Sequence, residues 1–238
     1  TLTKLAGELG ISKKDLQSGT IRLPAYRALY LDHILKEGPG ITYYRDQLFK
    51  SMVRAVKTVE DSDEPVPARF EAILREYQKT GFRWMKTLDK CGFGGILADD
   101  MGLGKTIQVI ALFEDTYSSG EKAPSLVVCP ASLVYNWEQE IQKFAPDLKV
   151  RSVVGTGPQR LELLEKIKED PSGCQILITS YDLLRRDIEQ YQNLTFDYQI
   201  IDEAQFIKNA TTKAAQAVKQ INSRFRLALT GTPVENRL

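Results

Sequence analysis

Lys105 and Thr106 are the residues in this chain best placed to act on a phosphate. Two glycines at alternate positions, Gly102 and Gly104, precede them, and the helix-like run Ile107-Gln108-Val109-Ile110-Ala111-Leu112 follows. Before the glycines, the apolar run Gly95-Ile96-Leu97-Ala98 ends in Asp99 and Asp100. Strand, glycine loop, Lys-Thr and helix form the layout of a phosphate-binding loop. Glycines let the backbone turn tightly, so several N–H groups of Asp100-Met101-Gly102-Leu103-Gly104 can point at one anion. A helix N-terminus adds a field that favours negative charge. In such a loop Lys105 reaches the terminal phosphates and the Thr106 hydroxyl holds magnesium. One position departs from the generic pattern G-x-x-x-x-G-K-S/T: Asp99 stands where glycine is expected. Taken alone, these residues also fit a plain strand-turn-helix with a surface lysine.

Further clusters follow other apolar runs. Tyr198-Gln199-Ile200-Ile201 ends in Asp202-Glu203-Ala204-Gln205. An acid at the tip of a strand in the same sheet can hold the magnesium, and Glu203 can orient and deprotonate an attacking water. Two adjacent carboxylates stay ionised together when a cation lies beside them. Without the glycine loop they would read as acids at a helix N-terminus. Arg226-Leu227-Ala228-Leu229 ends in Thr230-Gly231-Thr232-Pro233, whose hydroxyls could bond the acidic pair and sense a γ-phosphate, or simply make a turn. Ser132, Thr179 and Ser180 sit at strand-to-helix junctions. There, hydroxyls and backbone N–H groups can grip nucleic-acid phosphates without reading sequence, and plain helix capping fits equally well. Gln78 lies beside the stripe Leu74, Tyr77, Gly81, Trp84, Met85 and Leu88, and its amide could donate to and accept from an adenine edge.

These residues need a scaffold that gathers strand ends. From Gly94 on, short apolar runs alternate with helical patterns. Strands are predicted at 95–98, 126–129, 150–154, 176–179, 198–202 and 226–230, and helices at 105–117, 132–144, 158–168, 181–190 and 211–221. This alternation predicts an α/β fold with a mostly parallel sheet and helices on both faces. Ligands of such sheets bind outside the carboxyl ends of the strands, where every cluster above falls. Residues 1–59 read as a small helical accessory region carrying ten Lys+Arg against five Asp+Glu. Leu5 to Ser12 could form the turn of a helix-turn-helix, and Tyr26, Leu29, Tyr30 and Ile34 make a stripe expected to be core. Residues 60–67, acidic with Pro65 and Pro67, are the expected boundary, leaving 68–238 as the nucleotide-binding unit.

The whole sequence bounds the answer. Its 238 residues, 42% hydrophobic and 26% charged, suit one or two globular domains. No apolar run approaches the ~20 residues of a membrane-spanning helix. Net charge is +1, which by itself points to no polyanionic partner. Cys91, Cys129 and Cys174 are far apart and His33 is the single histidine, so neither a zinc site nor a disulfide framework is expected. Cys129 and Cys174 read as buried thiols in a reducing cytoplasm, and His33 as structural.

As an ordered set, the motifs from about Leu74 to Leu238 resemble the Swi/Snf-type ATPases of helicase superfamily two. The carriers are Leu74-Arg75-x-Tyr77-Gln78-x-x-Gly81-x-x-Trp84-Met85, Asp99 to Gln108, Asp202-Glu203-Ala204-Gln205 with Ile207-Lys208-Asn209, and Leu229 to Pro233. Asp99 is ordinary in that family's loop. Gln205 and Thr230-Gly231-Thr232-Pro233 look unlike RNA-unwinding DEAD-box proteins. Residues 1–67 are similar to the helical region preceding the motor in bacterial members.

The resemblance implies the first of two RecA-like lobes of an ATP- and magnesium-dependent motor that moves along double-stranded DNA. Carried over by position, Gln78 reads adenine, Asp100 to Thr106 cradle the phosphates, and Thr106 and Asp202 serve magnesium. Glu203 activates water, and Gln205, Thr230 and Thr232 couple hydrolysis to movement. Ser132, Thr179 and Ser180 track the DNA backbone. The partners implied are duplex DNA and, for bacterial relatives, RNA polymerase or another DNA-bound complex. With Thr1 first and Arg237-Leu238 last, the chain is expected to be a piece of a longer protein lacking the second lobe and its arginines. Such arginines are worth ~10³–10⁵ in rate, so this piece alone is expected to bind nucleotide weakly and barely turn over. A competing reading is a non-motor adaptor docking on a transcription or chromatin complex. A GTPase is disfavoured, because no Asn-Lys-x-Asp string occurs.

Overall fold

The computed structural model describes residues 23, 27–37, 44–58, 64–120 and 122–231. Its contacts divide the chain into two units, Thr1–Thr58 and Val59–Leu238. In the first, α1 (Ala28–Glu37) and α2 (Gln47–Lys57) are described. Asp46 caps α2, its carboxylate accepting the Phe49 N–H at 2.7 Å. Of the stripe expected to be core, Ile34 is half-buried and Tyr30 departs from it. Tyr30 is 45% exposed, whereas Ala28 and Asp32 are buried. Asp32 is accommodated by ion pairs to Lys36, at 3.0 Å, and to Arg45. His33 is exposed on α1. Tyr26 and residues 5–12, which could form the turn of a helix-turn-helix, lie outside the described residues.

In the second unit the chain runs α3 (Ala68–Glu71), α4 (Glu76–Lys90), β1 (Gly95–Leu97), α5 (Lys105–Ser118) and β2 (Ser125–Cys129). A 3-10 turn (Ala131–Leu133) leads into α6 (Val134–Phe144), then β3 (Val150–Ser152), α7 (Gly157–Glu169) and β4 (Ile176–Ser180). Two short helices follow, α8 (Tyr181–Arg186) and α9 (Ile188–Tyr191), then β5 (Thr195–Ile201), α10 (Lys213–Gln220) and β6 (Asn222–Leu229). All strand pairings are parallel, in the order β1-β6-β5-β2-β4-β3. β2 and β4 are buried along their whole length. Helices cover both faces of a parallel sheet, so its central strands read as continuous apolar runs.

Several boundaries moved for physical reasons. β5 and β6 begin at Thr195 and Asn222, earlier than expected, because those polar first residues pair with each other in register. The single helix expected over 181–190 breaks at Asp187, whose carboxylate is gripped by Arg160 Nε at 2.6 Å and Nη2 at 2.9 Å. Leu74 precedes α4 and Tyr77 is exposed, so the buried face of that helix runs instead through Gln78, Phe82, Met85 and Leu88. The stretch 60–67 is described from Glu64 on. There the Glu64 carbonyl accepts from Arg83 Nε at 3.2 Å and its carboxylate pairs with Lys90.

Candidate active site

The ends of β1, β6 and β5 lie side by side, with β6 in the middle. Beyond β1 the chain makes the glycine loop. Gly102 and Gly104 take φ of +84° and +76°, left-handed values that a side chain disfavours. Gly104 is the N-cap of α5, and no side chain caps that helix. Its first N–H groups therefore face the loop without an intrahelical partner. A Cβ on Gly102 would meet nothing within 4 Å, so space lies open above the loop. Lys105 is folded back on it, Nζ donating to the carbonyls of Asp99 at 2.7 Å and Asp100 at 3.1 Å. Asp100, Met101 and Gly102 are exposed, and Leu103 to Thr106 half-buried.

Two amides brace the loop from below. Gln78, at the start of α4, donates Nε2 to the Leu103 carbonyl and accepts the Arg75 N–H on Oε1, both at 2.9 Å. Tyr77 OH donates to the same carbonyl at 3.0 Å. Gln78 is buried rather than solvated, and retains one N–H and one acceptor direction. Gln108, wholly buried, donates Nε2 to Asp99 Oδ2 at 3.2 Å. Asp99, at the position anomalous for the generic loop, thus ties the loop to α5.

Beyond β5, Asp202 is buried and held from several sides. Its Oδ2 accepts Trp137 Nε1 at 2.8 Å and its Oδ1 accepts the Glu203 N–H at 2.9 Å. Tyr181 OH donates to its backbone carbonyl at 2.6 Å. Burial pushes the Asp202 carboxyl above its ordinary pKa; the Trp137 and Glu203 donors oppose that, the Glu203 charge adds to it, and the Lys105 charge opposes it. Glu203 has φ of +50°, the one left-handed residue other than glycine among the described residues. Such a backbone costs about 1–3 kcal/mol and is kept where the surroundings enforce it. A polar chain then crosses to β6: Gln205 Nε2 donates to Glu203 Oε2, and Thr230 Oγ1 donates to Gln205 Oε1 at 3.1 Å. Thr232 lies outside the described residues.

An oxygen pair of this kind suits a hard cation that keeps most of its waters. Among the described residues no cluster of three or more His, Cys, Asp or Glu forms a full metal cage. Of the two residues expected at magnesium, Asp202 has both carboxylate oxygens engaged by donors, and Thr106 is half-buried in the first turn of α5.

The three residues expected at nucleic acid differ sharply. Ser132 is exposed in the 3-10 turn after β2. Ser180 is buried and caps α8, Oγ accepting the Leu183 N–H at 3.3 Å. Thr179 is wholly buried and its side chain faces Tyr191, so it cannot itself reach a phosphate. β4 is buried on both faces, so a residue within it is enclosed whichever way its side chain points.

A model of the SNF2-related domain matches residues 77–238, and one of the bacterial SNF2 helicase-associated domain matches residues 1–67. The chain belongs to the SNF2 family. It is 48% identical over 166 residues to an uncharacterised ATP-dependent helicase of Mycoplasma genitalium, covering 69% of this chain and 16% of that protein. It is 40% identical over 201 residues to the putative ATP-dependent helicase/translocase YwqA of Bacillus subtilis, covering 84% of this chain and 22% of YwqA. The Sulfolobus solfataricus SWI2/SNF2 ATPase core in complex with double-stranded DNA superimposes with a TM-score of 0.61 at 48% identity, covering 69% of this chain and 33% of that one. The chain thus spans about a fifth of the length of these curated relatives.

The parallel six-stranded sheet with its helices is the RecA-like architecture of SNF2 ATPase cores. A cavity of about 880 Å³ lies at the opposite ends of the strands, lined by Pro124, Gln175 and Thr195 among others, away from the SNF2 motifs. Sequence reasoning missed Trp137 and Tyr181 as partners of Asp202. In the sequence, Trp137 is one apolar position of the helix predicted over 132–144. The usable signal was its indole N–H, which normally finds an acceptor when buried.

Proposed function

We propose that this chain is the nucleotide-binding lobe of an ATP-driven motor that moves along double-stranded DNA and remodels complexes bound there. The observation that carries the reading is the convergence of Lys105, the acidic pair Asp202-Glu203 and the Thr230–Gln205 link at three neighbouring strand ends. The loop from Asp100 to Thr106 cradles the ATP phosphates, with Lys105 leaving its two carbonyls for the β/γ-phosphates. Gln78 meets the adenine edge with its remaining donor and acceptor. Thr106 and Asp202 hold magnesium, which supplies charge for the phosphates when bound. Glu203 orients the attacking water and takes its proton. Gln205, Thr230 and Thr232 relay the state of that site to β6 and beyond. Exposed Ser132 contacts the DNA backbone, and the Thr179-Ser180 turn contributes backbone groups rather than the Thr179 hydroxyl.

The region 68–238 forms this lobe, 1–59 a helical accessory region and 60–67 the linker. Transition-state arginines come from a second lobe, so the lobe alone binds ATP weakly and hydrolyses it very slowly. RNA polymerase or another DNA-bound assembly in the bacterial cytoplasm is the proposed target. The test is ATP hydrolysis by the full-length protein with and without linear duplex DNA, in wild type, Lys105→Ala and Glu203→Gln. DNA-stimulated turnover in wild type, lost in both variants, is the expected result. Turnover unchanged in both variants would refute the motor, and retained cellular function in both would favour the adaptor.

A further inference from the structure

The flanks of Asp202 nearest β2 and β4 carry a connection that the phosphate chemistry does not use. β2 and β4 lie consecutively on one side of β5, so the turns that follow them stand beside Asp202. The turn after β2 holds exposed Ser132, and five positions on, within α6, is Trp137. Trp137 is wholly buried, and its indole N–H donates to Asp202 Oδ2 at 2.8 Å. The turn after β4 holds Ser180, and the next residue is Tyr181. The Tyr181 hydroxyl donates to the Asp202 carbonyl at 2.6 Å, and its ring stacks on Phe206 at 5.7 Å between centroids. Each turn assigned to the DNA backbone therefore continues directly into a rigid aromatic side chain that ends on the same acid. One fixes the carboxylate, the other the backbone that carries it.

We propose that Trp137 and Tyr181 are positioning residues through which the two DNA-facing turns set the orientation of Asp202, so that duplex binding reaches the hydrolytic site within this one lobe. The proposal rests on the reading of the chain as a DNA-stimulated ATPase. The geometry gives the two residues separate tasks. A shift of the turn after β2 rotates the carboxylate through the indole, because Trp137 is packed too tightly to absorb it. A shift of the turn after β4 moves the Asp202 carbonyl and, through the Tyr181–Phe206 stack, the segment that carries Gln205.

The test uses the full-length protein with Trp137→Phe, which removes the indole N–H and shrinks the bicyclic ring to a phenyl, and Tyr181→Phe, which removes the hydroxyl and keeps the ring. Turnover is measured at saturating ATP with and without saturating linear duplex DNA, and duplex affinity is measured separately. A donor to a carboxylate is worth about ten-fold in an equilibrium, so Trp137→Phe is expected to lower the stimulation ratio about ten-fold. Tyr181→Phe, losing a bond to a neutral carbonyl, is expected to lower it about three- to five-fold. Duplex affinity should stay within about two-fold, since both side chains are buried from DNA. Turnover reduced by one common factor with and without DNA, at an unchanged ratio, would mean a merely structural role and overturn the proposal. If near-ultraviolet circular dichroism shows Trp137→Phe misfolded, Tyr181→Phe decides by the same ratio. Absence of hydrolysis or of stimulation in wild type would instead refute the parent reading, a result visible before either variant is made.

Discussion

Gly102 and Gly104 form a natural matched pair for testing the loop. Both are left-handed, at φ +84° and +76°. Alanine at either meets similar backbone strain, about 1–2 kcal/mol. At either it also narrows the unfolded ensemble, which offsets about 0.4–1 kcal/mol. Their surroundings differ. A Cβ on Gly102 meets nothing within 4 Å, whereas one on Gly104 would lie 2.5 Å from Gln78 Nε2 and 3.2 Å from Ile107 Cγ2. Gln78 can swing aside, being the far end of a side chain. Doing so breaks its bonds to the Leu103 carbonyl and the Arg75 N–H, both at 2.9 Å. At about 0.5–1.5 kcal/mol each, Gly104→Ala should destabilise more than Gly102→Ala by about 1–3 kcal/mol. Urea unfolding of the chain, followed by tryptophan fluorescence, measures the difference. In Gly104→Ala combined with Gln78→Ala the clash is already gone, so the two costs should fall short of additive by about 1 kcal/mol or more. Equal costs at the two glycines, or strict additivity in the double variant, would refute the account of how α4 braces the loop.

Two further outcomes follow from buried groups. Asp187→Ala leaves the Arg160 guanidinium without its bidentate partner, the side chains being 8% and 9% exposed, and should cost about 3 kcal/mol in urea unfolding. Arg160→Met with Asp187→Leu should recover most of that. Burial pushes the Cys129 thiol up to about 12 and Cys174 up to about 11, from 9.0. The unfolded chain then loses these protons first, so stability is undiminished below pH 9 and falls above it, by about 1.4 kcal/mol per pH unit for each thiol. Equilibrium unfolding between pH 8 and 10.5 reads that slope, and iodoacetamide should label half-buried Cys91 well before the other two.

The sheet was legible where a strand is buried on both faces. Ser125–Cys129 and Ile176–Ser180 are short apolar runs, one opening on Ser125 and the other closing on Thr179-Ser180, and their short length between turn residues marks them as strands rather than buried helix. The glycine loop was legible because its residue types are required by its geometry. The starts of β5 and β6 were not, since Thr195 and Asn222 owe their strand conformation to each other. The break at Asp187 depends on Arg160, which lies in another helix. At the site, residue types named the acids and the lysine, but the side chains that brace the loop and hold Asp202 come from far along the chain. Nothing near Gln78 in sequence announces that Leu103 occupies its amide, or that Trp137 and Tyr181 end on Asp202. Thr179 shows the converse: a hydroxyl at a strand end is suited to phosphate by type and barred from it by facing inward.

The position of β1 has a consequence for how the protein comes into being. Among the described residues this strand pairs with β6 alone, setting Gly95 beside Leu227. A ribosome that has released the glycine loop must still deliver α5 through α10 before the loop's supporting strand finds a neighbour. Until β6 emerges, β1 has no ladder to join, while β2, β4 and β5 can already assemble. Pairings between distant segments form late, because the loop they close must be ordered first. β1 and the glycine loop it carries are thus the last part of the sheet to be paired on a growing chain, and a product truncated before Asn222 would keep every residue of the glycine loop without the strand that holds it in place.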